Sequence, residues 1–571
     1  MPKPRKKDAL IDEMVRAYAR CVSPSDVYAP GPGRKAAVER LFSPCELGSL
    51  KLSNRCLIAP LDPIGGTCSC DAAAVAFYQK RSGAGLMTTP PFPADTDPSP
   101  WALQPWRRLI ERLHACSSRL LFQIRLGGSS PMRIADLCSA ALSVGFDGIC
   151  LYARESSEDP AAVVSGLRSR FGAKLPILCR VSLSSALREC GLAPADACPD
   201  LPLCERFDWL AELVRSGADA LEIGLGGPET PWLLRPSSQM PASCYAEAAR
   251  AVRAQLVHLG LSAGVIAFGR LDDPAAAEKL LQAGACDLVS LDGAALSDDE
   301  WFKKVRDGQF ASVRPARLPE YAVPSGAEKI AVIGAGCRGM NYAIRVADAG
   351  HRVELFDAAM RPGGRLALFR SAASGEKEKL RAWLISEVMR RPNIKTRFRT
   401  RATLELLRKG GYDRIVFACP PSAIREPSIP GWGEIPFVRC TELSPDALDP
   451  YSKKSVAVLG GDELACDLAW AILNEGGAKR AALITEAPAV MPGEPEPERA
   501  WFLHHLPLRG ARICTGCRPT RITAGYLVYS DGKKEHHFRC DAIILAEASP
   551  APLRLYEEAL REQAAPEIVL L

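Results

Sequence analysis

The chain has 571 residues, too many for one core, and its 47% hydrophobic and 24% charged composition fits an ordinary globular protein of about three or four domains. A net charge of +6 over this length gives no case for nucleic acid, and no apolar run is long enough to span a membrane. The 21 cysteines are scattered and no signal-peptide pattern opens the chain, so free thiols in a reducing cytoplasm are expected.

Residues 1–40 read as an N-terminal extension, basic at first and then Pro/Gly-containing. Within it LIDEMVRAYARCV can form one amphipathic helix, either on a solvated arm or as a partner-binding element. From 41 to 318 short apolar runs recur: RCLIA (55–59), GLMTT (85–89), RLLFQIR (119–125), DGICLYA (147–153), LPILCRVS (175–182), DALEIGL (219–225), AGVIAFG (263–269) and DLVSLDG (287–293). Segments such as PMRIADLCSAALSVG and PAAAEKLLQAGA lie between them, with apolar residues at helical spacing and glycine at the stop. Eight strand–helix repeats predict an α/β chain whose first large domain is a (β/α)8 TIM barrel, with its chemistry at the C-terminal strand ends.

Residues 319–328 read as a linker. From Lys329, KIAVIGAGCRGMNYAIRVADAGHRVELFD contains a buried strand, the loop Gly334-x-Gly336-x-x-Gly339, a helix, and a second strand ending on Asp357. This is the order of a Rossmann-like dinucleotide-binding βαβ unit. The first glycine makes the turn, the second admits a pyrophosphate to the backbone and the third lets helix and strand pack. The helix N-terminus offers N–H groups to phosphate, and Asp357 stands where a carboxylate can hold a ribose hydroxyl. This domain is expected over 329–454. A second strand–turn–helix opens at Ser455 and reads as an inserted nucleotide domain over 455–540. Residues 541–571, with the run CDAIILAEASPAP, are expected to return to the first domain.

A barrel followed by two nested dinucleotide domains resembles the old-yellow-enzyme-like flavoproteins with a C-terminal reductase module, the family of 2,4-dienoyl-CoA reductase, trimethylamine dehydrogenase and the enoate reductases. LFSPCELGSLKLSNRCLIAP, FYQKRSGAGLMTT and AEKLLQAGACDLVSLDGAALSD carry the resemblance through the barrel. It implies FMN at the barrel mouth, a [4Fe-4S] cluster after the barrel, FAD in the 329–454 domain and NAD(P)H in the 455–540 domain. On the same resemblance Gln123 holds the pyrimidine edge of FMN and Arg180 lies beside its N1 and O2, where reduction builds negative charge. Ala59 and Pro60 end the first strand under the flavin ring, and Gly269 offers an N–H to the phosphate. Gly363 and Gly364 match the family's following Gly-Gly and join Gly334, Gly336, Gly339 and Asp357 as the FAD set.

The chain also departs from the family. DGICLYARESSEDP lacks the paired barrel histidines, and His114 and His258 fall on helix faces. The phosphate-loop Gly-Arg aligns with Asp292-Gly293, an anion in place of a cation, which argues against FMN binding unless Arg270 or another base supplies the charge. RPARLPEYAVPSGAE has no cysteine, so the [4Fe-4S] cluster is expected to be absent. The second loop reads Gly460-x-Asp462-x-x-Ala465, placing a carboxylate where pyrophosphate should approach, so NAD(P)H is not expected to bind there in the usual manner. Ala418-Cys419-Pro420 and Ala546-Glu547-Ala548 stand where the family reads Ala-Thr-Gly, and the family's Gly-Asp flavin contact does not follow PEIVLL. Cys514 and Cys517 have CxxC spacing without a second pair. His504-His505 and His536-His537 read as solvated pairs, and GEPEPERA as a polar loop; no metal site is expected.

Two functions remain open on these residues. One is a flavin-dependent NAD(P)H:flavin oxidoreductase or enoate reductase acting on a small unsaturated or electron-poor substrate, with no catalytic proton donor assignable. The other is a catalytically degenerate member serving as a binding or scaffold subunit, in a homo-oligomer or with an active paralogue.

Overall fold

The computed structural model describes residues 38–61, 68–127, 130–153, 159–183, 208–227, 230–240, 242–271, 273–419, 422–424, 426–443, 448–550 and 553–571. The candidate helix of the N-terminal extension lies outside these residues. Two compact units divide at Arg317/Leu318.

In the first unit the eight apolar runs form β1 (Cys56–Ile58), β2 (Leu86–Thr88), β3 (Arg119–Arg125), β4 (Gly148–Tyr152), β5 (Ile177–Ser182), β6 (Ala220–Gly224), β7 (Gly264–Ala267) and β8 (Leu288–Leu291). Each pairs in parallel with the next, and β8 pairs with β1, so the sheet closes into a barrel. The helices between strands begin and end on local signals. In α1 (Pro131–Val144) Ser130 accepts from the Arg133 N–H at 3.3 Å, proline opens the first turn and Gly145 closes the last at φ +115°. In α2 (Pro274–Gln282) Asp273 caps through the Ala275 N–H at 3.0 Å.

Because side chains alternate along a strand, each barrel strand sends one set inward and the other to the helices. The inward set has an apolar lower part: Leu57, Leu86, Leu121, Cys150, Leu178, Ala220, Ile266 and Leu288, all buried. A short hairpin, Cys45–Leu47 against Leu50–Leu52, adds Leu47, Leu50 and Leu52 to this cluster and closes the barrel floor. Truncating one of these leucines to alanine costs roughly 2–5 kcal/mol. The floor is therefore rigid support, and polar residues rise above it.

The second unit contains two five-stranded parallel sheets. The first has the order β11 (Ile394–Arg397), β10 (Arg352–Phe356), β9 (Lys329–Ile333), β12 (Arg414–Phe417), β21 (Glu567–Leu570). The second has the order β13 (Phe437–Arg439), β20 (Ala542–Leu545), β14 (Ser455–Leu459), β15 (Arg480–Ile484), β16 (Ala511–Cys514). An antiparallel meander, β17 (Arg518–Thr523), β18 (Tyr526–Ser530) and β19 (Glu535–Arg539), stands between β16 and β20 in sequence.

This sheet membership corrects the sequence expectation for residues 541–571. The apolar run Ala542–Leu545 pairs with Val456–Leu459 in the second sheet, not with the first domain, and Phe437–Arg439 joins it from before residue 455. The strand that returns to the first sheet is Glu567–Leu570, beside Arg414–Phe417. Apolar composition marked both runs as strands, but it carries no information on which sheet receives them. GEPEPERA is likewise not all loop, since Glu496 opens α5 (Glu496–Leu508), which also holds the pair His504-His505 on a helix. There Nδ1 of His505 meets the Trp501 carbonyl at 2.7 Å, and burial pushes its pKa down to about 4.

Candidate functional site

At the C-terminal end of the barrel, strand register sets Arg125, Tyr152, Arg180 and Glu222 side by side on β3, β4, β5 and β6. Two residues back along β3, and so on the same face, is Gln123. Gln123 and Arg180 come together: Nη1 of Arg180 donates to Oε1 of Gln123 at 2.9 Å. The amide of Gln123 donates to the carbonyls of Pro60 at 3.2 Å and Thr89 at 3.1 Å, and Cys150 donates to its oxygen at 3.5 Å. All four hydrogen-bonding positions of the side chain thus point into protein. Ala59 and Pro60 are buried at the end of β1.

Glu222, which sequence reasoning passed over, decides the electrostatics. Its carboxylate forms an ion pair with Nε of Arg180 and accepts from Nη2 at 3.1 Å, with both side chains fully buried. Burial works against the Arg180 charge, but Glu222 outweighs it and the guanidinium is held protonated. The ring of Tyr152 lies under Arg180 at 5.5 Å and Arg125 at 5.8 Å. A lone acid at an inward position of the apolar run DALEIGL was the available signal.

The other end of the expected FMN position lies past β7 and β8. Gly269 has φ +100°, and a Cβ there would meet the Tyr245 ring at 2.7 Å. Arg270, buried and itself at φ +54°, donates from Nη1 to the carbonyls of Ser237, at 3.0 Å, and Ser238. Its backbone N–H donates to Oδ2 of Asp292 at 3.2 Å. The Arg270 guanidinium thus serves backbone carbonyls of the segment after β6. The residues present do not fit an FMN phosphate, because the Asp292 carboxylate stands at the cradle itself while the Arg270 guanidinium is turned to backbone carbonyls.

The first glycine loop in the second unit is built differently. Gly334 turns at φ +107° and its N–H donates to the Phe356 carbonyl at 2.8 Å. A Cβ on Gly339 would sit 1.9 Å from the Gly334 oxygen, so only glycine lets α3 (Cys337–Asp348) start this close to β9. Gly336 is the N-cap of α3 and no side chain caps the helix; a Cβ on Gly336 would meet nothing nearer than Gly364 Cα at 3.9 Å. The Gly363-Gly364 turn packs directly on this loop, its N–H donating to the Ala335 carbonyl at 2.8 Å. Asp357, half-buried at the end of β10, accepts from the N–H groups of Ala335 and Ala359, both at 2.7 Å. An uncapped helix start, a bare backbone and a carboxylate at the second strand end fit the ADP part of a dinucleotide.

The second loop is closed by the chain itself. Asp462 is the N-cap of α4 (Glu463–Asn474), its Oδ1 accepting from the Ala465 N–H at 3.0 Å. Its Oδ2 accepts from Arg365 at 2.6 Å. Glu547 has its carboxyl held above its ordinary value by burial, then by Glu486 and Asp462. The backbone of Glu547 lies against Gly460 of this loop, its nitrogen 3.0 Å from where a Gly460 Cβ would stand. One turn on, buried Asp467 accepts from Ser371 and Ser374 hydroxyls and from the N–H groups of Arg370, at 2.7 Å, and Ser371, at 3.3 Å.

Cys514 donates to the Tyr529 hydroxyl and Cys517 to the Thr515 carbonyl, each at 3.3 Å, and burial pushes both thiols up. His536 pairs with Asp531 at 2.9 Å and His114 with Asp147 at 2.9 Å. Among the described residues no group of three or more His, Cys, Asp or Glu is arranged to hold a metal ion, and no helix is long and apolar enough to cross a membrane.

A closed parallel barrel joined to two Rossmann-like sheets, the first with an open glycine loop, is the architecture of barrel-plus-reductase flavoproteins. Residues 324–558 match the family described as pyridine nucleotide-disulphide oxidoreductase. The chain is 23% identical over 536 residues to the metal reductase of Desulforamulus reducens, covering 76% of this chain and 78% of that one. It is 21% identical over 444 residues to the cinnamate reductase of Clostridium sporogenes, covering 57% and 66%. The histamine dehydrogenase structure from Rhizobium sp. 4-9 superposes with a TM-score of 0.74 over 94% of each chain at 16% identity, which establishes the shared fold. The chain is thus similar, over both units, to the old-yellow-enzyme-like flavoproteins with a C-terminal reductase module.

Proposed function

We propose that this protein is a flavin-dependent oxidoreductase built around a single dinucleotide flavin, FAD, held at the first glycine loop. The observation that carries the reading is the contrast in helix caps: α3 starts on bare Gly336, whereas α4 starts on its own Asp462. Gly334, Gly336, Gly339, Gly363 and Gly364 would line the pyrophosphate, and Asp357 would face the ribose. When bound, the flavin supplies one- and two-electron chemistry. The chain's own residues supply anchoring by backbone N–H groups and by the positive end of α3.

With the second loop closed, electrons would enter from a redox partner and not from NAD(P)H bound in the usual manner. Relatives named metal reductase and cinnamate reductase support an electron-poor acceptor. The scaffold reading is favoured by the same closed loop and by the absence of histidine from DGICLYARESSEDP.

The test is the visible spectrum of the purified protein, with released flavin identified by chromatography and reduction attempted with NADH, NADPH and dithionite. We expect FAD near one per chain, bleached by dithionite and not by either nicotinamide. Rapid bleaching by NADH or NADPH would overturn the closed second loop. A colourless protein that takes up no added FAD would leave the scaffold reading.

A further inference from the structure

FMN is a dianion at its phosphate and gains negative charge at N1 on reduction, so a barrel that holds it must present uncompensated positive charge or free N–H groups at both ends. Here each end is already met by a carboxylate of the chain. At the ring edge Arg180 is engaged by Glu222 through two nitrogens and by Gln123 through a third, with all three side chains fully buried. At the phosphate end Asp292 holds the Arg270 N–H, while the Arg270 guanidinium is turned to Ser237 and Ser238. Tyr245 covers Gly269 and donates its hydroxyl to the Leu233 carbonyl, so the segment after β6 is packed down over the cradle.

The two ends are independent, since Glu222 lies on β6 and Asp292 follows β8. Both changes act in the same sense. A carboxylate within hydrogen-bond reach of the group that should bind an anion repels that anion, and burial strengthens the repulsion. We infer that the barrel has exchanged FMN for its own side chains, Glu222 standing in at the ring edge and Asp292 at the phosphate end, and takes no FMN. This concerns the barrel alone and is separate from the FAD reading.

The test uses the full chain in equilibrium dialysis against FMN, with FMN and FAD separated chromatographically afterwards and folding checked by circular dichroism. We expect no retained FMN in the wild type at 50 μM ligand (a concentration roughly fifty times a typical micromolar dissociation constant). Glu222→Gln with Asp292→Asn keeps shape and hydrogen bonding but removes both charges, and should bind FMN at least tenfold more tightly. If that double variant fails to fold, Asp292→Asn alone carries the test, with a gain of at least threefold. FMN near one per wild-type chain would overturn the inference. No gain in the folded variant would overturn it too, because the carboxylates would then not be what excludes the flavin.

Discussion

The two glycine loops of the reductase unit start from the same strand–turn–helix plan and differ at the second and third glycine positions, the second being the helix cap. In the first the helix cap is Gly336, which makes no side-chain cap hydrogen bond; in the second it is Asp462, whose carboxylate accepts from Ala465 and pairs with Arg365. A helix start demands a negative partner for its unsatisfied N–H groups. A glycine leaves that demand to a ligand, and an aspartate answers it within the chain. The barrel's phosphate end follows the second pattern, with Asp292 on the Arg270 N–H. One anion site is therefore left open and two are filled by the protein.

The most direct way to break this comparison is to make the first loop like the second. Gly336→Asp has room for its side chain, so FAD affinity should fall at least a hundredfold while the melting temperature stays near that of the wild type. A flavin titration beside a thermal melt checks both. The reverse change, Asp462→Gly, should bring NADH or NADPH binding up at least tenfold by calorimetric titration, with little loss of stability because glycine is itself a tolerated cap.

Replacing the same residue by alanine separates capping from charge: Asp462→Ala should cost about 1 kcal/mol in denaturant unfolding of the reductase unit. Arg365→Ala should cost no more than about 0.5 kcal/mol, since both partners of that ion pair are substantially exposed at 46% and 40%.

The smallest effect concerns pH. Glu547 is held above its ordinary value of 4.5, so the folded state favours its protonated form more than the unfolded state does. Its contribution to stability is present below that ordinary value and is lost as pH rises through the raised one. Glu547→Gln should flatten that decline in a series of melts upward from pH 4.5. A steeper decline in the variant would contradict the acidic grouping at the second loop.

Much of the fold was legible because it rests on local pattern. Each of the eight apolar runs became a barrel strand, Gly334 and Gly339 fell at the turn and the close contact that their spacing implied, and Gly336 became the helix cap. The acid at position 462 was also visible, though as a repulsive group and not as the cap of its own helix. Ala542–Leu545 was legible as a strand and misplaced in its sheet, because inward and outward apolar faces look alike in either of two parallel sheets. Arg270 looked like a spare cation, and nothing near it in sequence revealed the Ser237 and Ser238 carbonyls that engage it.

By itself the sequence determined the elements, since helical and strand periodicities, caps and glycine turns act over a few residues. It also determined which residue types could reach a ligand. Only the tertiary structure decided which of those residues are already answered. Arg180 and Glu222 are 42 residues apart, and Arg365 and Asp462 are 97 apart. Charge compensation depends on distance in space and on burial, and both are created when the strands close and the loops pack.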